Sequence, residues 1–565
     1  MTKMKKLHIY TLAVFSLLIA VAIAQINDSV IINSTGRVVG QSNENSNLWI
    51  AAVPISSGQI GLSWRFSADP TIVGYNLYRS TSSGTAYAKL TSSPIATTSY
   101  VDSGLANGQT YFYVAKVVFS NGTESSASRE VYATATSTSS NFYVYKTIGN
   151  SEHPAFHSQT YDSRTGPRYY IASVSVGDLN ADGMVDYVAW QKGANAHIVA
   201  FLHDGTFLWE APFNIQGGGH NTHVVVGDVD GDGFSEVVSH DDYKYVRIRD
   251  GLTGAIKRSL VLERDAFENR ANVALADLNG NGERDAIIVH YNSATWRWSL
   301  KAFDSNLNLI WEYPYDPYSG HFIKVEDLDE DGRDEILIGG ADFVDDDGTR
   351  IPVDHVQSDP HVDGIAVGDF DWTNPGLEVV FAGCHGEHVW MVNSQGKLMW
   401  DHLVGHAHWA SMGDFDPTYD GLEAFVSFGD ARQHYIFYAD GHSSGPFSLY
   451  DDTQPTLDWD GDWSNGDELH PIRNFNDVRI TNAHTGQTQF SFGGRSSGSR
   501  GVDVIGDYRE EFIWPDIANR RIVIFSNADL NSDQFPSKWD DSYWRLQSKY
   551  KRSFASEYVN GALVY

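Results

Sequence analysis

One acidic turn, repeated at near-regular intervals, constrains this sequence more than any other feature. Its four fullest copies are Asp178-Leu179-Asn180-Ala181-Asp182-Gly183 with Asp186, Asp228-Val229-Asp230-Gly231-Asp232-Gly233 with Glu236, Asp277-Leu278-Asn279-Gly280-Asn281-Gly282 with Asp285, and Asp327-Leu328-Asp329-Glu330-Asp331-Gly332 with Glu335. Oxygen-bearing side chains stand at positions 1, 3, 5 and 9, and glycine at position 6. That spacing is the front of a calcium loop, where alternate residues turn oxygens inward and glycine permits the sharp bend. A helical calcium-binding hand is excluded, because each loop runs into β-branched residues such as Glu236-Val237-Val238 and Glu335-Ile336-Leu337-Ile338. Looser copies follow at Asp369-Phe370-Asp371 with Glu378, Asp414-Phe415-Asp416 with Glu423, Asp458-Trp459-Asp460-Gly461-Asp462, and Asp507-Tyr508-Arg509-Glu510.

Eight copies spaced 42 to 50 residues apart match one four-stranded blade per repeat, so the expected fold is all-β: an eight-bladed β-propeller over residues 141–565. A single such turn is as well explained by the ordinary preference of Asp and Asn for tight turns. Four full copies in register are different, since clustered carboxylates repel unless a cation lies among them. The expected cofactor is therefore Ca2+ at several sites, with the last four turns the less complete.

Residues 47–137 carry a different pattern of short alternating strands, with Trp64, Tyr75, Leu105, Tyr111 and Tyr113 at intervals that resemble a fibronectin type III β-sandwich. The Thr- and Ser-rich stretch 133–140 reads as its linker. Ahead of it, Lys3, Lys5 and Lys6 precede an apolar run from Leu7 to Ala24 that ends Ala22-Ile23-Ala24, the pattern of a secretory signal peptide. The expected location is extracellular or periplasmic, with no membrane-spanning segment in the mature chain. A net charge of −32 excludes attraction to nucleic-acid phosphate or anionic lipid. Cys384 is the single cysteine, so no internal disulfide can staple the loops. A monomer is expected.

Several motifs interleave with the acidic turns: Gly217-Gly218-Gly219-His220-Asn221-Thr222-His223, Gly320-His321, His361-Val362-Asp363, Asn374-Pro375-Gly376-Leu377-Glu378 and Gly506-Asp507-Tyr508-Arg509-Glu510-Glu511. Together with the order of sandwich and calcium-loop repeats, they resemble polysaccharide lyase family 11, the rhamnogalacturonan lyases, over nearly the whole mature chain. The resemblance implies β-elimination on a rhamnose–galacturonate backbone with calcium in the site. Two departures stand out. Where the family places an arginine before the sixth acidic turn, this chain has Trp409 or His408, and Arg495 takes the place of a family lysine.

Elimination beside a uronate needs the carboxylate neutralised, a base for the C5 proton and a donor to the departing oxygen. Among 21 histidines, His220, His223, His321, His361, His406 and His408 precede acidic turns, an arrangement that a propeller would gather on one face. The candidate catalytic residues are His408, His361, Arg495, His220 and His321. Arg270, Trp409, Asp363 and His223 are the candidate substrate contacts, Arg270 and Arg495 as bidentate partners for carboxylates. A histidine could equally serve a purely structural hydrogen bond, and His361, His406 and His408 could ligate zinc. The expected partner is an acidic polysaccharide; the alternatives are another uronate polymer such as ulvan, or calcium-dependent glycan binding without catalysis.

Overall fold

The computed structural model describes residues 30–32, 38–41, 48, 50–64, 71–137, 142–148, 161–162, 166–167, 170–182, 184–215, 224–241, 244–262, 272–292, 298–315, 323–338, 342–354, 361–371, 373–384, 388–416, 418–419, 421–428, 433–448, 456–457, 468–469, 473–474, 478–492, 496–497, 500–502, 504–505, 510–516 and 521–527. Among these residues the chain is all-β, and no helix is long and apolar enough to cross a membrane.

The N-terminal part pairs two antiparallel sheets. One holds Ile50–Ser56, Gln59–Trp64 and Ser99–Ser103; the other is built on Ile72–Ser80 and Thr110–Phe119, flanked by Ala88–Lys89 and Val131–Thr134. Trp64, Tyr75, Leu105, Tyr111 and Tyr113, the residues that marked this segment in the sequence, share its core. Trp64 and Tyr75 meet edge to face at 5.7 Å. The Tyr113 hydroxyl and Arg79 both bind Asp102, so the carboxylate buried between the sheets is fully engaged.

Eight further antiparallel sheets follow in chain order among the described residues. In the second, Val224–Gly227, Glu236–Asp241, Tyr245–Asp250 and Ile256–Val261 pair in simple succession. The acidic turn always joins the first strand to the second, which sets the register: Gly177 faces Asp186, Gly227 faces Glu236, Glu326 faces Glu335, Gly368 faces Glu378 and Gly413 faces Glu423. The eighth sheet is completed from outside the succession, because Phe142–Ile148 pairs with Arg521–Asn527.

Apolar cores lie between consecutive sheets, filled by one inward row from each. Val224 and Val226 of the second sheet pack against Trp190 and Ile198 of the first. Ala366, Val380 and Met391 of the fifth pack against Ala410, Met412 and Val426 of the sixth. One such core joins the last sheet to the first, with Ile513, Ile522 and Ile524 against Val174, Val176 and Tyr187. Strands buried on both faces read as unbroken apolar runs, the pattern of Val224–Gly227 and Glu378–Gly383. Backbone bonds also tie neighbouring acidic turns, from Ser235 N to Asp178 O, from Asp334 N to Asp277 O and from Leu377 N to Leu328 O. These bonds knit the loops in a chain that has no disulfide to do so.

Candidate functional site

The acidic turns share one local construction. In the second, the Asp228 carboxylate accepts from the Asp232 and Gly233 amides, and Gly233 sits at φ 84°, a conformation an L-residue rarely adopts. Position 4 is left-handed in all four full turns, at Ala181, Gly231, Gly280 and Glu330. Ala181 and Glu330 hold it without glycine's freedom, a strain of about 1 kcal/mol each. The position-9 carboxylate is buried and accepts the amide of position 2: Asp186 from Leu179, Glu236 from Val229, Glu335 from Leu328, Glu378 from Phe370 and Glu423 from Phe415.

Burial governs the charge state of these groups. It pushes Glu236 and Glu378 up to about 7 and Glu335 and Glu423 up to about 9, with neighbouring aspartates adding to the rise. Asp369 rises to about 6 for the same reason. Carboxyls that resist ionisation beside further carboxylates describe a place where a cation is missing from the electrostatic balance. In the fourth turn one oxygen from each of Asp327, Asp329 and Glu335 lies within 4.8 Å of the others, which suits a hard cation with oxygen ligands.

Two turns depart from this construction. In the second, one oxygen from each of Asp228, Asp230 and Glu236 also converges, but the Lys257 ammonium sits among the carboxylates of that turn, 2.5 Å from Asp230 and 2.9 Å from Glu236. The third turn carries no buried carboxylate at position 9. Its register shifts by one, so that Ala276 faces Ala286, and Asp285 is left half-buried, accepting from Asn279 and Asn281. The buried acid beneath it is Asp334 of the next turn, which accepts the Asp277 amide and pairs with Arg284 at 3.0 Å. The eighth turn is framed differently from its sequence reading: Glu511, not Glu510, faces Val502 and accepts from the Val504 and Ile505 amides.

A second constellation stands at the opposite end of the sheets. His361 precedes the strand Val362–Gly368, whereas the acidic turn follows it, and at about 3.3 Å per residue the two are about 25 Å apart. The His361 ring nitrogen Nε2 lies 2.9 Å from Asp363 Oδ1. Cys384 follows the partner strand Glu378–Gly383 and donates its amide to His361 O at 2.9 Å. His406, just before the next sheet's first strand Ala407–Gly413, places Nε2 3.1 Å from Cys384 Sγ. The same end of the second sheet carries buried Asp241, bound by Arg247 and near Arg249, and buried His240, whose pKa burial lowers to about 4.

Of the residues singled out from sequence, His361 and Asp363 are together here. His408 lies on the strand Ala407–Gly413, and nothing further of its side chain is described. His220, His223, Arg270, His321 and Arg495 lie outside the described residues, as do Asp458, Asp460, Asp462 and Asp507. Trp409 needs correction as an open sugar-stacking surface: it is 5% exposed and donates Nε1 to Ser411 Oγ. The reason is the close approach of two sheets at Gly364, where an added Cβ would lie 2.3 Å from Ala410 N and 2.8 Å from Trp409 Cα. Trp390 is likewise buried, stacked on Phe381. Cys384 and Lys257 were not expected to take part. Strand pairing would have set Cys384 beside His361, but that register is visible only once both strands and their turn are aligned.

Residues 268–555, just over half of the chain, match the model of the rhamnogalacturonan lyase family 11 C-terminal domain, and residues 178–239 match an FG-GAP-like repeat. The chain is 26% identical to the rhamnogalacturonan endolyase YesW of Bacillus subtilis, over 89% of this chain and 88% of that protein. It is 25% identical to the rhamnogalacturonan exolyase YesX of the same organism, over 88% and 91%. A solved Fn3-like protein from Clostridium thermocellum is similar to 15% of this chain and 83% of its own, at 37% identity and a TM-score of 0.14. With the family model matched across this span, the chain belongs to rhamnogalacturonan lyase family 11 and is a polysaccharide lyase.

Proposed function

We propose that this protein is a secreted, calcium-stabilised lyase that cuts a rhamnogalacturonan-type polysaccharide by β-elimination. The observation that carries this reading is the family match over residues 268–555. The scaffold we infer is an eight-bladed propeller with a fibronectin-like sandwich before it. Eight successive sheets, a core between the last and the first, and the pairing of Phe142–Ile148 with Arg521–Asn527 support it.

Calcium belongs in the acidic turns, where Asp327, Asp329 and Glu335 offer converging oxygens and Asp178, Asp369 and Asp414 open comparable loops. Bound there it supplies positive charge that lets buried carboxylates ionise. The distance between those turns and His361 gives it a structural part, so charge neutralisation of the substrate falls to the chain's own cations. In this reading Arg270 and Arg495 hold uronate carboxylates in bidentate pairs, which lowers the barrier to losing the C5 proton. His408 takes that proton, and His220, His223 and His321 line the same end and donate toward the departing oxygen.

Purified protein should generate the ultraviolet absorbance of an unsaturated uronate from rhamnogalacturonan I and not from ulvan. Absorbance from ulvan alone would reassign the substrate, and none from a panel of uronate polymers, with glycan binding retained, would favour a noncatalytic role.

A further inference from the structure

The single thiol of this chain lies against three other metal-ligating side chains. One ligand atom from each of His361, Asp363 and Cys384 lies within 4.8 Å of the others, and His406 brings Nε2 to 3.1 Å from the sulfur. We propose that Cys384, His361, His406 and Asp363 form a site for a divalent transition metal of the zinc class, distinct from the oxygen-lined acidic turns. The inference stands apart from the lyase reading and does not depend on it.

The donor set decides the metal. One sulfur, two imidazole nitrogens and one carboxylate oxygen suit a borderline ion in four-coordinate geometry, whereas calcium and magnesium take oxygen. With metal–nitrogen bonds of about 2.0–2.1 Å and a metal–sulfur bond of about 2.3 Å, tetrahedral ligand atoms stand roughly 3.3–3.6 Å apart. The observed 2.9 Å between His361 and Asp363 and 3.1 Å between Cys384 and His406 need to open by only a few tenths of an ångström.

The frame around these groups is stiff. Three of them sit at adjacent strand ends of one sheet and the fourth at the edge of the next, and the two sheets meet without a side chain at Gly364. Cys384 and His361 are 6% and 4% exposed, so the site is shielded while His406 remains partly open. An ion here would be a fixed positive charge at the end of the sheets remote from the acidic turns. It would also engage His361 as a ligand and leave proton transfer to another histidine.

Cobalt(II) added to the metal-depleted full-length protein tests this directly. Because Cys384 is the chain's one cysteine, a thiolate-to-cobalt charge-transfer band can come from nowhere else. The expected result is that band, together with intense visible bands of tetrahedral cobalt, at one equivalent and undiminished by millimolar calcium. C384S should abolish the charge-transfer band, and zinc affinity should fall by more than the roughly 10- to 100-fold that losing an outer-shell partner costs. H406Q, which keeps the thiol, should lose the tetrahedral intensity even if C384S fails to fold. No charge-transfer band in the wild type, its persistence in C384S, or its displacement by calcium would overturn the site.

Discussion

Lys257 shows how one residue can change what an acidic turn requires. Its ammonium lies among Asp230, Asp232 and Glu236, with Glu236 fully buried, so the second turn carries its own cation. Removing one partner of a buried ion pair leaves the other charge uncompensated, at a cost of about 3–5 kcal/mol. Lys257 keeps 22% of its side chain exposed, so Lys257→Gln should cost less, about 2–3 kcal/mol, in chelator. Calcium should restore most of that loss, because the freed carboxylates then match those of the fourth turn. Urea unfolding of wild type and variant, with and without calcium, checks this; equal loss in both conditions would refute it. Trp409 gives a second test. Packed at 5% exposure against the next sheet, it should show on replacement by alanine a stability loss of about 3–5 kcal/mol, as for a core aromatic. Thermal unfolding would measure this, and an unchanged midpoint with a raised KM would restore it to the substrate surface.

The turn between first and second strands is the element that couples this molecule to pH and calcium. Without metal, Glu236 and Glu378 are raised to about 7 and Glu335 and Glu423 to about 9, above the ordinary 4.5. A carboxyl whose pKa is raised on folding contributes stability that is fully present below its unfolded value. That contribution is lost as pH climbs through the folded value. The melting temperature in chelator should therefore fall steadily from pH 5 to pH 9, and calcium, which binds the ionised form, should flatten the slope. A flat profile in chelator would contradict the burial argument. The turns were legible in the sequence because their chemistry is local: oxygens at fixed offsets, a glycine, then a β-branched strand. Asp285 and Glu510 illustrate the limit, since a one-residue change of register moves the buried carboxylate to Asp334 in one case and Glu511 in the other. The His361 and Cys384 pairing was illegible for the opposite reason, being made by strands whose partners sit 23 residues apart in the chain.

At the scale of the whole molecule, stability rests on neighbours, since each sheet buries its faces only against the sheets beside it. Such an arrangement is vulnerable wherever one interface is missing. Phe142–Ile148 is the strand that joins the start of this region to its end: it pairs along Arg521–Asn527, and Ile148 enters the core shared by the eighth and first sheets. It also lies beside the N-terminal sandwich, where Tyr145 packs against Val53. Two truncations separate these roles. A chain beginning before residue 142 loses the sandwich but keeps the pairing strand, and should fold to a monomer with a melting temperature lowered modestly by exposure of Tyr145. A chain beginning after residue 148 exposes the whole edge of Arg521–Asn527, an unpaired strand of the kind that recruits other chains. It should elute as soluble aggregate or fail to fold, and added peptide 142–148 should partly rescue it by supplying the missing strand. If the shorter chain stayed monomeric with an unchanged melting temperature, the last and first sheets would not depend on each other, and the inferred closed ring would be wrong.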